Sequence, residues 1–265
     1  MASLKHNYEH VAKKVRIIIS TAQEMKDMRT DRLAPLKAAK LFVDAFFPQC
    51  SGALLAGSTV RGEGTAKSDL DIVIFDQNRC SSYRESLIAY EWPVEVFVHS
   101  LESYRAFFES DVERARPSLP RMVSEGEIIK GWDVVMPIKA EADHVLNRGP
   151  GKWSDETIRM KRYFLTDTLE DFIGSENRAE TLCITYTLAN QISEFVLRTN
   201  RKWVGSSKWV IRSLKEYDPE FATRYSDAFD YFYTYGSKER IVQLTEEVLA
   251  PFGGRLFDGF VLGEK

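Results

Sequence analysis

The chain has 265 residues, of which 44% are hydrophobic and 12% aromatic. That is enough apolar material for one large core or two modest ones, and it excludes disorder along the whole length. A formal charge of −3 gives no broad basic field to draw nucleic acid, and the scattered Cys50, Cys80 and Cys183 form neither a zinc knuckle nor a disulfide framework.

Those three cysteines are expected to be free, largely buried thiols in a reducing compartment. The opening MASLKHNYEHVAKKVRII is charged throughout, and no stretch is long and apolar enough to cross a bilayer. A cytoplasmic protein with no membrane partner is therefore expected.

Helical spacing runs from Tyr8 to Lys26, and a second helix is predicted over DRLAPLKAAKLFVDAFF, residues 31–47. There Leu33, Leu36, Ala39, Phe42, Val43 and Phe46 share a face, and Pro35 falls in the first turn. Strands follow near 51–56, 71–76 and 94–99, in GALLAGS, DLDIVIF and WPVEVFVHS, with the loop TVRGEGTAKS between the first two. A helix over LESYRAFFESDVERAR breaks near Pro117, and EGEIIKGWD reads as a short strand and loop. Beyond Pro137 the pattern turns helical, near 138–147, 154–173, 178–199, 207–216, 219–234 and 237–250. Gly149-Pro150-Gly151, Gly174, Gly205 and Gly236 punctuate these segments. The expected organisation is an α/β domain with a small mixed sheet over 1–137, N-terminal helices included, followed by an all-helical domain over 138–265.

Asp69 and Asp71 are the chemical signal. Alternation along a strand puts both on one side, where like charges need a positive partner. The apolar IVIF that follows argues for a strand entering the interior. A divalent cation answers both demands, and oxygen ligands of this kind suit Mg²⁺ held partly through phosphate. Glu95, inside VEVFV, is a candidate third carboxylate; the polar face of an edge strand explains it equally well. Gly57 permits an unusual backbone angle or a close ligand approach. Ser58 and Thr59 can cap a helix whose N–H groups face phosphate. Arg61 can pair with a phosphate or with the acidic cluster. No Walker loop or dinucleotide-binding fingerprint is present.

Gly57-Ser58, Arg61-Gly62, Ser68-Asp69-Leu70-Asp71 and then Glu95 on a later strand resemble the DNA polymerase beta-like nucleotidyltransferase superfamily. The resemblance implies two-metal transfer of a nucleoside monophosphate from an NTP to a hydroxyl, with release of pyrophosphate. It implies that Asp69 and Asp71 hold Mg²⁺ and that Gly57 and Ser58 grip the β- and γ-phosphates. Glu95 would complete the metal site or take the acceptor's proton.

In the helical half, RKWVGSSKWVIRSL puts Ser206 or Ser207 at the start of a helix beginning with Lys208, with Trp209, Val210, Ile211 and Leu214 on its apolar side. On its own, Lys208 reads most simply as part of a solvated face. This half is similar to the helical domain of aminoglycoside nucleotidyltransferases, the streptomycin/spectinomycin adenylyltransferases above all. That similarity implies a lysine at Lys208 reaching ATP phosphates. It also implies a small hydroxylated acceptor such as an aminoglycoside-like compound, in a setting of antibiotic resistance. A protein or RNA acceptor, or a catalytically silent nucleotide-binding module, is the alternative. His99 reads as a strand-end residue, and most of the aromatic group Tyr225 to Tyr235 as core.

Overall fold

The computed structural model describes residues 32–263; the helix expected over Tyr8–Lys26 lies outside them. Helix α1, Pro35–Phe46, starts with its proline at the first turn, where no N–H is needed, and buries Ala38, Ala39, Phe42, Val43 and Phe46. Four strands follow: β1 Gly52–Ala56, β2 Leu70–Phe75, β3 Tyr83–Ala89 and β4 Trp92–His99. Helices α2, Ser103–Glu113, and α3, Ser118–Glu125, lead to β5, Glu127–Lys130. The buried Asp111 carboxylate accepts from Leu119 N at 2.7 Å, which caps α3 across the break at Pro117.

The sheet is mixed, in the order β3-β4-β2-β1-β5, with β2 and β4 parallel and the other pairs antiparallel. One face carries Leu55, Leu70, Ile72, Ile74, Val94, Val96 and Val98 against α1. The other carries Leu54, Val73 and Phe75, with the Tyr104 ring edge-on to Phe75 at 5.7 Å. Strand β3 is an addition to the expected set. It alternates between half-buried and exposed, as an edge strand does, and it turns into β4 through Tyr90 and Glu91, with φ of 50° and 64°.

Helix α4, Trp132–Arg148, runs through the expected boundary at 137; Pro137 falls in its second turn and leaves it continuous. The described residues divide into two compact units, one of 32–111 and 117–147, the other of 112–116 and 148–263. The second unit is helical: α5 Asp155–Gly174, α6 Arg178–Thr199, α7 Lys208–Tyr217, α8 Pro219–Tyr235 and α9 Glu239–Leu249, then a 3₁₀ turn at Ala250–Phe252. Its core centres on Leu169, Phe172, Leu188, Ile192, Phe195, Leu214, Phe232 and Leu249. Ser154, Asn177 and Asp218 accept from backbone N–H groups at the starts of α5, α6 and α8. Ser207 precedes α7 with φ 52° and makes no side-chain cap bond; the Ser206 carbonyl instead accepts from Trp209 N at 3.0 Å. Tyr225, Phe229 and Phe232 are buried, whereas Tyr233 and Tyr235 are exposed. All three cysteines are free, but only Cys50 is buried. No helix among the described residues is long and apolar enough to cross a membrane.

Candidate metal centre

The register of the sheet assembles the carboxylates. On the parallel pair Asp71 stands opposite Glu95, and on the antiparallel pair it stands opposite Ala56, the last residue of β1. Directly paired residues point to the same face, so Asp71 and Glu95 are neighbours there. Asp69, two residues earlier, keeps to the same side. One oxygen from each of Asp69, Asp71 and Glu95 lies within 4.8 Å of the others, and all three residues are half-buried. Glu95 is thus part of a cluster on an interior strand, which β3 covers on its outer side.

The protein's own cations offset this charge only in part. Arg84, on β3, donates from Nη2 to Glu95 Oε2 at 2.5 Å, and its guanidinium lies over Phe97 at 4.9 Å. Arg61 is held by Glu63 at 3.1 Å and by Glu125 at 2.9 Å. Those two carboxylates lie outside the Asp69, Asp71 and Glu95 cluster, while the Arg61 charge still acts on Asp71. Burial, then the charges of Asp69 and Glu95, push the Asp71 carboxyl from its ordinary 3.8 up to about 6 against the opposing fields of Arg61 and Arg84.

Gly57 lies against this carboxylate. Its φ is +79°, and a Cβ there would sit 1.9 Å from Asp71 Oδ2. Both the backbone angle and the close approach therefore require glycine. Beyond it the chain makes a turn closed by Glu63 N donating to Ser58 O at 2.9 Å. No described helix starts at Ser58 or Thr59, so the expected helix cap is replaced by this turn. Ser58 Oγ donates to Ser68 Oγ at 3.3 Å, which in turn accepts from Thr65 N at 2.8 Å. Arg32 fastens the approach to Asp69. It donates to Ala66 O and Ser68 O, both at 3.3 Å, while its guanidinium stacks 3.2 Å from the Trp92 ring centroid.

Lys208 is the exposed first residue of α7 and belongs to the second unit, whereas the carboxylate cluster is built wholly from the first. His99 is a strand-end residue: it is buried, its Nδ1 lies 3.2 Å from Ser82 Oγ, and burial pushes its pKa down to about 4. Arg84 and Arg32 are the site residues that the sequence reading missed. Arg84 lies on the strand that was not predicted, and an arginine ahead of a helix carries no motif.

The donor set suits a hard divalent cation. It offers only carboxylate oxygens, on or beside adjacent strands, and it includes a half-buried acid with two acidic neighbours. No protein-family model and no curated protein matches the chain. Among solved structures it is similar to the crystal structure of a nucleotidyltransferase-like protein from Exiguobacterium sibiricum 255-15. The TM-score is 0.45 and the identity 12%, over 82% of this chain and 74% of that one.

Proposed function

We propose that the chain is a Mg²⁺-dependent nucleotidyltransferase that moves AMP from ATP onto a hydroxyl of a small molecule. The convergence of Asp69, Asp71 and Glu95 within 4.8 Å on paired strands carries this reading. The acceptor oxygen bonds to the α-phosphorus, the bridge to the β-phosphate breaks, and pyrophosphate leaves. Bound Mg²⁺ supplies charge neutralisation for the attacking and leaving oxygens.

Asp69 and Asp71 hold the cation. Arg84 takes Oε2 of Glu95, which points to Oε1 as the oxygen that meets the cation or receives the acceptor's proton. Gly57 presents bare backbone beside Asp71, so the β- and γ-phosphates can approach closely, with Ser58 as an added donor. The sequence resemblance adds Lys208 as a source of positive charge for ATP phosphate. An aminoglycoside-like acceptor follows from the sequence resemblance.

Incubation with each NTP, Mg²⁺ and a panel of aminoglycosides, nucleotides and hydroxylated metabolites tests the proposal by mass spectrometry. The expected product carries one added nucleoside monophosphate, forms with stoichiometric pyrophosphate, and disappears with EDTA or D71N. Product that persists at full rate in D71N would overturn the assignment.

A further inference from the structure

The helical unit has a cavity of its own, about 500 Å³ in volume, within the size range of small-molecule sites. The 113–116 segment, Trp153 and one face of α6 line it. On α6, Tyr186, Asn190, Glu194 and Arg198 recur every fourth residue, so a single ridge of the helix makes the wall.

Arg198 sets the character of that wall. It is only 7% exposed, unusual for an arginine. Its Nη2 donates to Gly151 O at 3.0 Å, and its guanidinium lies 5.3 Å from the Trp153 ring centroid. Its Nη1 is buried and has no hydrogen-bond partner. The nearby Glu194 acts on Arg198 through its charge but makes no hydrogen bond to Nη1; its Oε2 accepts from Lys161 Nζ at 2.7 Å. Arginine cannot escape by losing its proton, so a buried guanidinium donor calls for an acceptor. Two helical turns earlier, roughly 10 Å along the axis, Gln191 Oε1 in the same lining is also buried and unpartnered. It calls for a donor. The exposed Arg116 and Arg114 add positive charge to the lining, which with Arg198 outnumbers the carboxylates of Glu113 and Glu194 there.

We propose that this cavity binds a small organic oxyanion, a carboxylate or a phosphate ester, that also carries a hydroxyl or ammonium group. The oxyanion accepts from Arg198 Nη1, and the hydroxyl or ammonium donates to Gln191 Oε1. The proposal is independent of nucleotidyl transfer, because it uses no residue of the carboxylate cluster.

Calorimetric titration of the full chain in EDTA tests it. Malate and serine probe the carboxylate arm, glycerol 3-phosphate and inorganic phosphate the phosphate arm, and glycerol is the uncharged control. The expected result is one-to-one binding of at least one charged probe. Affinity should fall about tenfold or more in Arg198→Lys, which keeps the charge but loses the fork. It should fall severalfold in Arg116→Ala and Gln191→Ala and be unchanged in Asp71→Asn. Should Arg198→Lys fail to fold, the Arg116 and Gln191 variants decide. The proposal is overturned if no charged probe binds up to about 10 mM, if glycerol binds equally well, or if affinity survives all the cavity substitutions.

Discussion

Each unit sets one ionisable group at the margin of an apolar core, and the two groups have opposite sign. In the α/β unit it is Asp71, with Asp69 and Glu95 as neighbours; in the helical unit it is Arg198, against Trp153 and the Gly151 carbonyl. Burial penalises the charged form of both, pushing the aspartate up and the arginine down. The escapes differ. Asp71 can take a proton near neutral pH or share a cation with its neighbours. Arg198 stays charged at any working pH and can only find an acceptor. The same penalty thus underlies the proposed cation site in one unit and the proposed anion site in the other.

Loss of activity should separate the two units most visibly. Asp69→Asn keeps size and removes a ligand charge, so transfer should fall by more than the roughly 10–100-fold that outer-shell partners of a metal account for. Circular dichroism and the melting temperature should stay close to wild type. A folded D69N enzyme with normal turnover would separate the carboxylates from catalysis.

Gly57→Ala forces a side chain into a left-handed backbone and onto Asp71 Oδ2. It should lower stability by about 1 kcal/mol or more through the backbone alone. Mg²⁺ affinity should fall with it, because the carboxylate must move. Denaturant melts and a Mg²⁺ titration check both parts.

Asp71 also sets a pH dependence. Its folded pKa, about 6, lies above its ordinary 3.8, so the folded state holds this proton more tightly than the unfolded chain does. Asp71 therefore weakens the fold above about pH 6, and in EDTA its contribution to stability should rise as pH falls from 7 towards 4. The whole effect is on the order of 2–3 kcal/mol. Asp71→Asn should remove this slope and be the more stable protein at pH 7.5 in EDTA, with the order reversing when Mg²⁺ saturates the wild type. Urea melts at each pH supply the test.

The smallest effect is expected at Lys208. Lys208→Ala should leave the melting temperature unchanged, since the side chain is exposed, and reduce kcat/KM for ATP by about tenfold. Unchanged ATP kinetics would remove Lys208 from the phosphates and leave the carboxylate account standing.

The cluster was legible because its parts are local: two aspartates at i and i+2, an apolar run behind them, a glycine before them and Glu95 on the next strong strand. The helices of the second unit were legible through their apolar spacing and the glycines between them, whereas their caps at Ser154, Asn177 and Asp218 were not singled out. Strand β3 was not. Its hairpin turns at Tyr90-Glu91, which take positive φ without the glycine or asparagine that normally announces such a turn. Losing β3 also lost Arg84, whose link to Glu95 depends on strand pairing. The link from Arg61 to Glu125 spans 64 residues, and no spacing rule announces it. The Arg198 cavity gathers side chains from residues 113 to 205, and spacing along α6 alone gives no sign of it.

A Mg²⁺ titration by calorimetry at pH 6, in two buffers of different ionisation enthalpy, tests whether Asp71 belongs to a divalent-cation site. With a carboxyl pKa of about 6, a substantial fraction of Asp71 is protonated there, so Mg²⁺ should bind the wild type with release of a fraction of a proton. Asp71→Asn should lose both the binding and the proton release. Equal Mg²⁺ affinity in the two proteins, with no proton released by either, would contradict the account.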